Sequence, residues 1–339
     1  MIRATHCELA VLIALSLTTV AIGQNATESP ATAAAADVSP DLGRLGDGDG
    51  PHWDATADAL FLQRSAPSHQ QLLYDPGSGS EVFNASNLDF STAAGPRLSL
   101  RRDDPTGLGV ELTYFGIDGW KSSASVPNAA FLYGVGYLSI DDTMTVPVSD
   151  AQFQYSSRLY SGELNFRYSL NDWLTPLVGF RWVDFEDRYA ASGQLFSGSG
   201  SFADLVRGHN HLYGSQIGLD ARLYDRGGPV KIDLLAKAGL YDNAAVQDND
   251  YATTGMGPAF SATASDSHLS FLGEIGVNVS YQFTKHLALR GGYQVMWLTG
   301  VAMAPNQIAA TDFGAAQAGV DTSATLFCHG ANAGLELAW

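Results

Sequence analysis

The chain has 339 residues, of which 45% are hydrophobic, 11% aromatic and only 16% charged, with a formal net charge of -17. Average soluble domains carry about 25% charged residues. This balance excludes a wholly disordered chain and a collagen-like one, and the acidic charge argues against nucleic acid as a partner, because phosphate binding needs clustered Lys and Arg.

The N-terminus reads as an export signal. Arg3 and His6 form a polar start, and Leu9 to Val20 is mostly apolar. A spanning helix needs about 20 apolar residues, so this run is too short to cross a membrane. Small residues at Ala21 and Gly23 predict cleavage before Gln24, which makes 1–23 a signal peptide. Residues 24–52 are rich in Ala, Gly, Asp, Ser and Pro and read as a flexible periplasmic tail. Cys7 falls in the signal, so Cys328 is alone in the mature chain and no intramolecular disulfide is expected.

From Trp53 onward the pattern has period two. Ten segments follow it: Trp53–Ser65, Gly95–Arg102, Leu108–Ile117, Ala151–Ser169, Trp173–Tyr189, Arg207–Leu223, Pro229–Tyr241, His268–Thr284, His286–Thr299 and Ala324–Trp339. In the third, Leu108, Val110, Leu112 and Tyr114 oppose Gly109, Glu111 and Thr113. In the eighth, Phe271, Ile275, Val277, Val279 and Tyr281 oppose Glu274, Asn278 and Ser280. Several segments exceed the five or six residues usual in soluble strands and match the roughly nine to eleven of a tilted membrane strand.

The connections alternate in length. Asp103–Gly107, Leu170–Asp172, Tyr224–Gly228 and Lys285 are tight, with turn residues. Ala66–Ala94, Asp118–Asp150, Ala190–Val206, Asp242–Ser267 and Gly300–Ser323 are long. Turns on one rim and long loops on the other are the asymmetry of an outer-membrane barrel. The expected fold is therefore all-β: an antiparallel up-and-down transmembrane β-barrel over 53–339, with ten strands. The count rises to twelve if Leu72–Phe90 and Phe131–Ile140 pair as extra strands.

The polar face decides which way the strands look. A soluble sandwich tolerates free Lys and Glu there. Here the face is poor in charge, and its acids and bases nearly balance. Its expected lumen-lining charges are Arg97, Glu111, Glu163, Arg167, Arg181, Asp220, Arg222, Asp233, Lys237, Glu274, Arg290 and Glu336, with Asp58, Arg101 and Lys231 on the same face. The excess negative charge lies in the loops and tail. An Arg or Lys on the lipid face would cost about 2–4 kcal/mol at the midplane. Tyr168, Trp182, Tyr281, Phe283, Trp297 and Trp339 stand near segment ends as candidate girdle residues. Leu335, Leu337 and Trp339 end the last strand as an expected insertion signal. The expected partners are thus outer-membrane lipid and the barrel-assembly machinery.

Several stretches resemble a known family. They are Ala94-Gly95-Pro96-Arg97-Leu98, Leu177 to Trp182, His211 to Asp220, Lys237-Ala238-Gly239-Leu240-Tyr241, Gly292 to Trp297, Val301-Ala302-Met303-Ala304-Pro305 and Gly330 to Trp339. In this order they are similar to the putative beta-barrel porin type seven family, from about residue 53 to the end. The resemblance implies an exported outer-membrane barrel in a bacterium with two membranes. It supplies no catalytic residues.

Other constellations carry little. His209 and His211 have strand spacing but no third metal ligand. Asp141 and Asp142 with a loop His resemble the acids and His by which rim proteases on ten-stranded barrels activate water, but their spacing carries no mechanism. Asp47 to Gly50 is a fragment of a calcium loop without the later ligands. No G-x-S-x-G, H-E-x-x-H or P-loop pattern occurs. No catalytic, cofactor or metal residue is assigned. Ten strands at about 40° tilt give a backbone diameter of roughly 20 Å, narrowed by side chains to a small passage. The favoured reading is a narrow, gated, porin-like channel for small solutes. The alternatives are a non-transporting scaffold whose surface loops bind a partner and, least favoured, a barrel-borne hydrolase.

Overall fold

The computed structural model describes residues 51–75, 77–127, 132–134, 147–195, 200–254 and 259–339, with backbone alone for 132–134 and 147. The expected signal peptide, nearly all of the tail, Asp47 to Gly50, and Asp141 with Asp142 lie outside these residues.

Alternation builds ten long strands: β1 (His52–Arg64), β2 (Ala93–Asp103), β3 (Leu108–Val126), β4 (Pro147–Tyr168), β5 (Leu174–Leu195), β6 (Ser201–Asp225), β7 (Val230–Thr254), β8 (Phe260–Gln282), β9 (Leu287–Val301) and β10 (Ala324–Ala338). Each pairs antiparallel with its chain neighbours. β1 closes the ring on β10, from Asp54 opposite Ala338 to Arg64 opposite Cys328. Closure leaves no unpaired edge, the condition for strands in lipid. The tight connections form one rim. In the first, Gly107 takes a positive φ of 90°, and its amide donates to the Asp104 carbonyl at 2.9 Å.

The segments 72–90 and 131–140 do not widen the ring. Gln71–Tyr74 pairs with Glu81–Asn84 and with Leu132–Gly134, which pairs in turn with the start of β4. These short strands hang from the loop rim, and the barrel keeps ten members. Phe131 and 135–140 lie outside the described residues.

The apolar face looks outward. Leu112, Phe166, Val178, Phe180, Ile217, Leu240, Val279 and Leu335 are all exposed. The opposite face is internal, because its side chains meet across non-neighbouring strands: Arg97 of β2 reaches Gln294 of β9, and Arg181 of β5 reaches Glu274 of β8. On β6 the exposed apolar column runs from Leu223 up to Tyr213. Those ten steps of rise, at about 3.3 Å each and about 40° tilt, span about 25 Å, the height of an outer-membrane lipid band.

Above this band the pattern reverses phase. On β5 the outward positions change from Phe180 and Trp182 to Asp184, Glu186 and Arg188, while the inward ones become Val183, Phe185 and Tyr189. Strands therefore continue through Ala190–Leu195, Ser201–Val206, Asp242–Thr254 and Phe260–Ser267, where loops were expected. Outside lipid the outer face meets water and the enclosed face must be filled, so the apolar residues change sides.

Two segments fill the loop-side half. Residues 65–92 bury Leu72, Leu73, Phe83, Leu88 and Phe90. Phe83 stacks on Phe153 at 4.6 Å, and Phe90 lies 4.9 Å from Tyr155. Residues 302–323 enter as a short helix, α1 (Ala304–Ala309), with Pro305 in its first turn and Ala304 and Ile308 buried.

Candidate functional site

The site is the charged interior, arranged in layers along the barrel. Nearest the turns, Arg167 of β4 bridges Glu111 of β3 and Asp220 of β6, both at 2.5 Å. Arg222 donates to Asp233 at 2.6 Å, and Arg101 is paired with Asp54 and Asp103. Arg290 sits between Asp58 (3.6 Å) and Glu336 (4.0 Å).

The middle layer crosses the lumen. Arg181 is 2.8 Å from Glu274 and 3.4 Å from Glu163, and its Nε donates to Ser161 at 2.8 Å. Lys237 Nζ and Gln216 Nε2 both donate to Glu163 at 2.7 Å. Arg97 grips Asp58 through Nε and Nη2, at 2.9 and 2.7 Å, and Gln294 through Nη1 at 2.6 Å. Such charges stay ionised in a water-poor interior only when paired and hydrogen-bonded.

A third layer lies under the inserted segments. Arg64 Nη1 is 2.8 Å from Asp187, and Tyr155 and Ser157 also donate to that carboxylate. The guanidinium lies over the Phe90 ring at 4.3 Å. The Ala304 amide completes the set, donating to Asp187 at 2.8 Å.

All the charges expected in the lumen lie on the inner face. Every one except Arg181 lines a cavity of about 140 Å³ in the turn-side half, together with Asp54, Arg101 and Thr113. Arg181 and Phe115 stand at the loop-side end of this space, the guanidinium 5.7 Å from the ring. Beyond them Leu60, Leu159, Leu212, Met296 and Leu298 are fully buried, so the passage closes there. The sequence reading passed over Arg64 and Asp187, although their parity matches Asp58 and Arg181. It also passed over Asp204, Asn210, Asn243, Gln247 and Asn249, a buried polar column on β6 and β7.

His209 and His211 are on the outer face above Tyr213, their rings 6.4 Å apart. His211 Nδ1 is 2.9 Å from Asp184, and His209 is 3.8 Å from Glu186. The hydrogen bond that His211 donates to Asp184 raises the His211 pKa above its ordinary value. Among the described residues no group of three or more His, Cys, Asp or Glu is placed to hold a metal. Leu335, Leu337 and Trp339 point outward, and Trp339 stacks on Trp53 at 6.4 Å, beside two backbone bonds that join the chain's last strand to its first.

No curated protein matches this chain. Solved structures similar to it include the outer membrane protease OmpT from Escherichia coli, 11% identical, with a TM-score of 0.41 over 88% of this chain and 100% of that one. Others are the translocator domain of the autotransporter NalP from Neisseria meningitidis (13%, TM-score 0.36, 86% and 89%) and the Pseudomonas putida toluene transporter TodX (10%, TM-score 0.33, 88% and 92%). Likeness at this level carries no chemistry from one protein to another. The family comparison is of a different kind, because residues 66–337 match the model described as Putative beta barrel porin-7 (BBP7). The chain is a member of that family.

Proposed function

We propose that the protein is exported to the outer membrane of a two-membraned bacterium and serves there as a narrow channel for small hydrophilic solutes, closed in the conformation described. The observation that carries this reading is the charged, ion-paired lumen and its cavity inside an apolar-coated barrel. Family membership and the apolar band support the membrane setting; residues 1–23 as signal peptide and 24–52 as periplasmic tail complete it. In this reading the lumen charges from Arg97 to Glu336 form the channel lining, and Leu335, Leu337 and Trp339 are read by the assembly machinery. The protein is read as a non-enzyme.

The test is conductance of refolded protein in planar bilayers. Discrete steps are expected, and Arg181→Ala or Glu274→Ala should change their size by opening the cross-lumen pair. A bilayer that stays silent with the parent and with every variant would refute the channel. The second reading, a non-transporting scaffold, has one observation in its favour: the loop-side interior is filled by the two inserted segments. A scaffold would be silent in bilayers and would lose a surface interaction when the connection between β3 and β4, residues 127–146, is deleted.

A further inference from the structure

We propose that the loop-side half of the solute path runs along the inner wall of β6 and β7, with residues 301–323 as its gate, and that this path favours neutral hydrophilic solutes and small cations over anions. The inference rests on the channel reading and names its route and its solute class.

The two inserted segments sit on unlike walls. Residues 65–92 lie on aromatic rings, Phe153 and Tyr155, and form a core with them. Residues 301–323 instead cover a polar wall. Asn210 clasps Ala302, accepting from its amide at 2.7 Å and donating to its carbonyl at 2.9 Å. Asn243 donates to the Gly300 carbonyl at 2.9 Å, and Gln247 to Thr311 Oγ1 at 2.8 Å. Phe313 meets Tyr251 edge-on at 6.3 Å. Gly208 gives the segment its seat: a Cβ there would lie 2.4 Å from the Ala302 carbonyl oxygen.

This cover leaves the wall only partly satisfied. Among the described residues, Asn243 Oδ1, Gln247 Oε1 and both amide atoms of Asn249 have no protein hydrogen-bond partner, although all three side chains are buried. The Asp204 carboxylate, equally buried, meets no donor among the described residues beyond the adjacent Leu205 amide. A native interior rarely keeps so many orphans in one place. Withdrawal of the segment would hydrate every one of them, at the cost of uncovering its own buried residues, the apolar Ala302, Met303, Ala304, Pro305 and Ile308 and the polar Gln307, Thr311 and Thr322. The wall thus offers more polar groups than the segment over it can satisfy.

The column also sets charge preference. From Gln216 toward the loop rim, the inner positions of β6 and β7 carry amides, glycines, apolar groups and Asp204, and no base beyond Lys237. Arg64, the base beside Met303, is already paired with Asp187. At the turn end, acids and bases balance. A hydrated Asp204 at the far end tips the route toward cations and leaves neutral solutes unopposed.

The test uses the full chain, refolded in bilayers and liposomes. Asn210→Leu removes both clasping bonds, and Gly208→Val crowds the seat by a separate mechanism. Each should raise open probability, Asn210→Leu by about tenfold to thirtyfold. Asp204→Asn should lower the potassium-to-chloride permeability ratio. Asn249→Cys, in a Cys328→Ser background, should react with a cationic methanethiosulfonate about tenfold faster once Asn210→Leu is added. Conductance that ignores all three substitutions, with Asn249→Cys unreactive in both backgrounds, overturns the path and leaves the channel reading standing. Absence of conductance from every variant overturns both.

Discussion

Glu163→Ala removes the carboxylate at the centre of the middle layer. Glu163 is almost wholly buried, with 2% side-chain exposure, and so is its partner Lys237, at 4%. Arg181 keeps Glu274 at 2.8 Å, so its charge stays compensated. Lys237 has no other ion pair among the described residues, and its ammonium keeps only the more distant attraction of Glu274 and Glu111. Breaking a buried pair by removing one member costs about 3–5 kcal/mol. Lys237 borders the cavity and keeps two acids at longer range, so the expected loss lies at the low end, about 3 kcal/mol. Lys237→Met on top of Glu163→Ala removes the stranded charge, and replacing both members of a buried pair is often close to neutral. The double variant should therefore be more stable than Glu163→Ala alone, by about 2 kcal/mol. Urea unfolding in detergent micelles, followed by tryptophan fluorescence, measures both. A loss below about 1 kcal/mol for Glu163→Ala, or a double variant as unstable as the sum of the singles, would refute the claim that this pair is enclosed.

Other outcomes follow from the same geometry. Ile217→Arg puts a charge in the middle of the lipid band and should cost about 2–4 kcal/mol in vesicles, whereas His209→Arg, beyond the band, should stay within about 0.5 kcal/mol of the parent; equal effects would contradict the placement of the band. Burial, reinforced by Asp250, pushes the Asp204 carboxyl up to about 8. The folded state then holds a proton that the unfolded state releases above about pH 4, so this group's contribution falls by about 1.4 kcal/mol per pH unit up to about pH 8. Asp204→Asn should abolish that fall, and unfolding curves at pH 5, 7 and 9 that stay parallel to the parent's would contradict it. Trp339→Ala should reduce the folded fraction in cell envelopes more than it reduces unfolding stability in micelles, where the lost ring stack is worth only about 0.5–1.5 kcal/mol; unimpaired assembly would remove the C-terminal residues from the insertion signal.

The lipid-spanning half was legible because lipid enforces a strict rule. Every outward position from Leu223 to Tyr213 must be apolar or small, so period two appears in the chain itself. The loop-side half was not, for a reason the structure makes plain. At Trp182 and Val183 the apolar residues exchange faces, and a reader following one face sees the signal stop where the strand continues. The inserted segments have no periodicity, because Phe83, Phe90 and Ile308 fill irregular space rather than one side of a regular element. Individual ion pairs were beyond reach as well. That Arg181 meets Glu274 and Arg64 meets Asp187 depends on the stagger of the closed ring, which no single strand encodes.

The claim on which everything turns is that apolar strand faces touch lipid while polar faces are enclosed. Spin labels placed singly from 207 to 219, in the Cys328→Ser background in vesicles, test it directly through their exposure to oxygen and to a water-soluble nickel complex. The account predicts oxygen contact at 213, 215, 217 and 219, little of either at the even positions, and a change to nickel contact at 211, 209 and 207. Nickel contact at 215 and 217, or oxygen contact shifted to the even positions, would contradict it.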